Sequence, residues 1–155
     1  MPTAPALPVV WRPRWGRWVP HGLLPVVAGL LAWMGYVMTA GARPKDLVLY
    51  ALIGTLALAG LYLLGRPRLA AHDSGLTVVN VFSRRELEWA EVVGVSMSEG
   101  EPWPTFDLAD GTTMATMGIQ ASDGERARRE LASLRALLDS RGTGAGPADP
   151  ERRDL

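Results

Sequence analysis

Two stretches of this chain carry no ionisable side chain, and the region after them switches from a helical to an alternating pattern. From Gly22 to Ala42 there are 21 uncharged residues, and from Leu47 to Gly65 a further 19. At about 1.5 Å per residue the first run makes a helix of roughly 31 Å, the thickness of a bilayer's hydrocarbon core. Only Arg43-Pro44-Lys45-Asp46 separates the runs, room for a tight reversal and little else. The pattern predicts a helical hairpin that crosses a membrane twice. Pro25 falls near the start of the first helix, where a missing N–H costs little. A buried helix pair in a soluble protein is the weaker reading of two such runs. So is a cleaved signal peptide, with Arg12, Arg14 and Arg17 as its basic end and Ala40-Gly41-Ala42 as its cleavage site, because a second apolar run follows at once.

Beyond Arg68 the period becomes two. "LTVVNVF" (76–82) is rich in β-branched residues and follows an Asp73-Ser74-Gly75 turn signal. "RELEW", "VVGVSM" and "TFDLADGTTMATM" come next, the last with a hairpin turn at Asp110-Gly111. About six short strands are expected. Ser122-Asp123-Gly124-Glu125 has capping-box spacing, and Ala127, Leu131, Leu134 and Leu138 form one apolar stripe, so a helix should close the domain against the sheet. Arg141 and Gly142 supply a favourable charge and a stop. Residues 142–155, rich in glycine, proline and mixed charge, read as a disordered tail.

Ahead of the first run stands "WRPRWGRW". Trp11, Trp15 and Trp18 share one face if the segment is helical, and Arg12, Arg14 and Arg17 lie off it. Indoles and arginines both favour the headgroup layer, so residues 1–21 read as an interfacial leader, with Pro13, Gly16 and Pro20 limiting any helix to a turn or two. Orientation follows from arginine asymmetry. Arg12, Arg14, Arg17, Arg66, Arg68, Arg84 and Arg85 flank the outer ends of the runs, against Arg43 and Lys45 in the turn. Both termini should face the cytoplasm. Ala28 and Ala32, and Ala51, Thr55 and Ala59, recur at four-residue spacing and suggest close packing between the two helices, or less readily a seam between copies of the chain.

Composition removes several function classes. Formal net charge is zero and cysteine is absent. Nucleic acid is therefore not expected as a partner, and thiolate or disulfide chemistry is excluded. The uncharged runs lack the acid, base or histidine that an ion-coupled carrier needs. Glu86, Glu88 and Glu91 sit among arginines and read as a solvated face; His72 has no metal-ligand neighbour but Asp73; Ser96 and Ser98 lack a nucleophile context. No catalytic residue, cofactor or metal site is expected.

The stretch "RPRLAAHDSGLTVVNVFSRRELEWAEVVGV", with "PWPTFDLADG", "MGIQASDGERA" and the leucine-rich helix, resembles the bacterial pleckstrin-homology-like (PH) domain family typified by low molecular weight protein antigen 6. The resemblance implies a two-span membrane protein with a compact C-terminal β-domain and no established enzymatic activity. It implies a fold in two parts: a membrane α-helical hairpin of two transmembrane helices (22–65), then an α+β PH-like domain (66–141), a small antiparallel sheet or partial barrel of about six strands capped by a C-terminal helix. In lipid-binding PH domains the loop between the first two strands is basic. Its counterpart here is taken as His72-Asp73-Ser74-Gly75, which would argue against phosphoinositide recognition.

Two functions follow. One is a non-enzymatic scaffold on the cytoplasmic face of the cell membrane, docking another membrane-associated protein, or a second copy, through an edge strand or the proline-flanked Trp103. The other is sensing of anionic lipid or envelope stress, with Trp11, Arg12, Arg14, Trp15, Arg17, Trp18, Arg66 and Arg68 at the membrane interface and Arg84-Arg85 as a further lipid or partner contact.

Overall fold

The computed structural model describes residues 4–39 and 41–142. A short strand, β1 (Val9–Trp11), leads into two long helices, α1 (Trp15–Met38) and α2 (Pro44–Leu64). Six strands follow: β2 (Arg68–His72), β3 (Gly75–Val79), β4 (Arg84–Glu88), β5 (Val92–Ser96), β6 (Thr105–Leu108) and β7 (Thr113–Ala115). Helix α3 (Glu125–Gly142) ends the described chain. The strands form two antiparallel sheets, in the orders β1-β2-β3-β4 and β5-β6-β7. The one small sheet or partial barrel expected from the sequence is therefore two sheets, and the six strands after Arg66 are joined by a seventh.

That seventh strand comes from the far side of the helical hairpin. Val9, Val10 and Trp11 lie opposite Ala71, Ala70 and Leu69 of β2. Trp11 is only 4% exposed and belongs to the core with Leu69, Ala71, Leu76, Val78, Leu87, Val92 and Phe106. Ala4, Leu7 and Val9 pack against that core. Residues 4–21 are thus not a separate leader. The sheet begins before α1, and the hairpin is inserted between its first two strands. Trp11, taken above as an interfacial anchor, is a core residue, because strand pairing turns it away from the face it would share with Trp15 and Trp18 on a helix.

Helix α1 starts at Trp15 and passes through Pro20 and Pro25 without a break. The helix of a turn or two expected here is in fact continuous with the first apolar run. Its first turn is capped from a distance: the Asp123 carboxylate accepts the backbone N–H groups of Arg14 (2.6 Å) and Trp15 (3.2 Å). A carboxylate there satisfies orphan donors and complements the positive helix end. This use of Asp123 accounts for a second correction. Ser122 and Asp123 lie in a short 3-10 turn ending at Gly124 (φ +58°), and α3 begins after it, so the expected capping box does not form. Substituting Asp123→Ala is expected to cost about 1 kcal/mol, the usual worth of a helix cap, while Asp123→Asn retains most of it. Thermal unfolding of the detergent-solubilised chain measures the difference.

Helix α2 opens with Pro44 in its first turn, and the Asp46 carboxylate accepts the Arg43 N–H (3.3 Å). The contact between the helices differs from the expected small-residue stripe. Ala32, Ala51, Thr55 and Ala59 are exposed and Ala28 half-buried. The seam runs instead through Gly54, where a Cβ would press on Leu31, and through Gly35 beside the Tyr50 ring, with the Tyr50 hydroxyl donating to the Leu31 carbonyl. Both helices are long and apolar enough to cross a bilayer. Their outer faces, among them Leu30, Trp33, Leu52 and Leu56, are exposed.

The rest of the domain follows its pattern. Ala127, Leu131, Leu134 and Leu138 of α3 are all buried, joined by Leu137. Gly111 (φ +81°) turns the β6–β7 hairpin, and Asp110 Oδ1 accepts both the N–H and the hydroxyl of Thr112. Those bonds hold the Asp110 carboxyl below its usual range. Gly142 closes α3 rather than opening a tail; residues 143–155, like Ala40 of the small-residue triplet, lie outside the described residues.

Candidate functional site

Inserting a helical pair between β1 and β2 brings both helix ends to one end of the first sheet. Register shows which residues share that end. Trp11 pairs with Leu69, and Arg68 pairs with Val79, which also pairs with Arg84. The end of β1, the starts of β2 and β4 and the end of β3 therefore meet where α1 begins and α2 finishes. His72-Asp73-Ser74-Gly75 lies at the opposite end. It joins β2 to β3, away from the ends of the two long helices. It is a braced turn: the Trp89 indole N–H lies 3.1 Å from the His72 and Asp73 carbonyls, and Arg141 bonds Asp73 (3.1 Å) while stacking over the Trp89 ring.

At the helix-bearing end lies a cavity of about 490 Å³ lined by Arg12, Arg17, His21, Tyr62, Gly65, Arg66, Pro67, Arg68 and Val79. Four arginines and no acid face it. Among the described residues, none of the four guanidinium groups has a carboxylate within ion-pair distance. Each arrives by a different route: Arg12 just past β1, Arg17 on the first turn of α1, Arg66 in the link after α2, and Arg68 at the start of β2. His21 Nδ1 lies 2.7 Å from the Arg17 carbonyl, which can only accept, so Nδ1 carries the proton. The imidazole lies over Gly65, where any Cβ would collide with it, and 6.4 Å from the Tyr62 ring. Glycine here is a matter of space: it lets α2 end against α1.

A second recess of about 420 Å³ shares Arg12 and Arg17 and adds Arg14, Trp18 and Arg126. Arg17 lies over the Trp18 ring at 5.4 Å. Arg126 is bonded to Glu130 (2.7 Å), which raises its pKa further. Burial pushes the Glu130 carboxyl upward, with Arg126 partly opposing the shift.

Of the residues singled out in the sequence, Arg12, Arg14, Arg17, Trp18, Arg66 and Arg68 come together around these two recesses. Trp15 stands exposed beside them on the first turn of α1. Arg84 and Arg85 open β4 at the same end of the sheet, Arg84 paired with Glu86 (2.7 Å). Trp103 lies elsewhere, half-buried in the loop before β6. Glu86 and Glu88 are exposed, and Glu91 accepts the Glu88 N–H (2.7 Å), a local turn contact. Sequence reasoning missed His21, Tyr62, Asn80 and the use of Asp123, whose roles depend on partners distant in the chain.

A family profile described as a bacterial PH domain matches residues 66–137. Two uncharacterized proteins, one from Mycobacterium bovis and one from Mycobacterium tuberculosis, are each 32% identical over 135 residues, covering 84% of this chain and 88% of the relative. The chain belongs to the bacterial PH-domain family. No solved structure matches it. PH domains are generally non-catalytic modules that engage proteins or lipids. In this PH-domain chain the profile covers β2 to α3, while β1, which completes the four-stranded sheet, lies outside the matched segment.

Proposed function

We propose that this chain is a non-enzymatic PH-like module fixed in the cell membrane by its helical hairpin, and that its arginine-lined cavity holds the headgroup of an anionic phospholipid. The observation carrying this reading is the convergence of Arg12, Arg17, Arg66 and Arg68, free of acidic partners, where both helices leave the sheet. Hydrocarbon covers the exposed faces of α1 and α2, which would be costly in water. Seven arginines flank the outer ends of the two long helices, an asymmetry that supports a cytoplasmic position for that end of the sheet. Cleavage after Ala42 would remove Trp11 from the core, so the hairpin is retained. Guanidinium groups suit phosphate by geometry, and the low dielectric beside the bilayer strengthens the attraction.

Docking of a protein has less support. The β4 edge reads Arg-Arg-Glu-Leu-Glu, a charged edge of the kind that blocks strand addition, and Trp103 is not freely exposed. Native mass spectrometry of the full chain released from detergent tests the reading. Phosphatidylglycerol is expected to stay bound where phosphatidylcholine is lost. Equal retention of the two would refute a headgroup site.

A further inference from the structure

The most exposed large apolar side chain among the described residues is on neither long helix. Phe82 is 90% exposed; outside α1 and α2 only Val10 (47%) and Val93 (72%) join it as exposed large hydrophobics. It sits in the four-residue link between β3 and β4. Val79 and Arg84 pair at the base of that link, and Val79 itself lines the arginine cavity. The link continues past Val79 in the direction in which β2 runs back to α2. Phe82 therefore projects from the end of the sheet that carries both helices.

The link is braced at its base. The Asn80 N–H donates to the Ser83 carbonyl (2.8 Å). The Asn80 side chain donates to the Ala115 carbonyl (2.8 Å) and accepts the Met117 N–H (2.9 Å), pinning the base of the link to the β7 end. Arg84 and Arg85 follow directly, both exposed.

We propose that the β3–β4 tip inserts Phe82 into the interfacial layer of the leaflet from which α1 and α2 emerge. The occupant is lipid rather than protein because the tip continues the surface defined by the two helix ends. An aromatic ring favours that layer. Three points of attachment fix the tilt of the domain and keep the arginine cavity against the headgroups. This inference rests on the membrane reading above.

The chain has no cysteine, so a single introduced thiol reports one site. The full chain with Phe82→Cys, labelled with an environment-sensitive dye, is placed in phosphatidylglycerol-containing vesicles that carry nitroxide on the acyl chains. Ser74→Cys, at the opposite end of the sheet, and Leu56→Cys, on the outer face of α2, serve as controls. Expected is a blue-shifted, nitroxide-quenched signal at 82, protected from aqueous iodide, with Ser74→Cys open to iodide and Leu56→Cys quenched by nitroxide. A dye at 82 that iodide reaches, beside a quenched Leu56→Cys, overturns the insertion and leaves the hairpin standing. Protection at 82 from iodide and nitroxide alike means that the chain itself or a second copy covers the tip, and also overturns it. An unquenched Leu56→Cys overturns the membrane reading itself.

Discussion

Replacing Trp11 with alanine is expected to cost the PH-like domain about 3–5 kcal/mol, the usual loss for truncating a buried tryptophan. A domain of this kind has roughly 5–15 kcal/mol in total, so the variant should sit near the edge of unfolding. The size of the effect follows from placement. Trp11 is 4% exposed and packs with residues from both sheets. A residue anchoring a leader to the membrane surface would leave domain stability untouched. Trp11→Phe keeps most of the buried area and should recover much of the loss. Starting the chain at Arg66, the beginning of the matched segment, removes β1 altogether. That fragment exposes the β2 backbone as a free edge and is expected to aggregate. Urea unfolding of the full chain in detergent, read by near-ultraviolet circular dichroism, measures the substitution, and gel filtration measures the truncation.

The second large effect concerns the cavity. Changing Arg12, Arg17, Arg66 and Arg68 together to glutamine is expected to weaken retention of anionic phospholipid about a thousandfold. Each cation near an anionic surface contributes on the order of 1 kcal/mol, and about 1.4 kcal/mol is a factor of ten. Lysine at all four positions keeps the charge but loses the forked geometry, so it should recover part of the affinity. Wild-type retention should fall with added salt, and the glutamine variant should respond far less. The paired change Arg84→Gln with Arg85→Gln, outside the cavity, is expected to have a much smaller effect on retention. Equal losses from the two sets would indicate diffuse attraction to the surface rather than a site.

What the sequence revealed and what it concealed divide along the range of the interactions. The apolar runs, the α3 stripe and the Asp110-Gly111 turn are set by neighbours within a few positions, so periodicity exposes them. Strand β1 is three residues long in a stretch of tryptophan, arginine and proline, and its only partner lies beyond the entire hairpin. No local pattern distinguishes it from an interfacial segment. The same distance hid the role of Asp123, whose spacing to Ser122 and Glu125 reads as a local cap while its carboxylate closes the start of α1. The small residues of the hairpin were visible, but the rotation of each helix about its axis was not. Gly54 against Leu31, and Tyr50 against Gly35, decide which face turns inward. Each cavity arginine was legible as positive charge beside an apolar run. That four of them converge depends on β1 and β2 being neighbours across the hairpin, a pairing no local pattern announces.

Cross-linking across that pair of strands is the most direct test. In the cysteine-free chain, Val10→Cys and Ala70→Cys stand opposite each other on β1 and β2. Treated in native membranes with a short thiol cross-linker, the double variant should close a covalent loop around the whole hairpin and migrate as a distinct monomeric species. If both thiols react singly and no intramolecular product forms while the chain remains in the membrane, the hairpin is not inserted within the sheet, and the assembled arginine cavity falls with it.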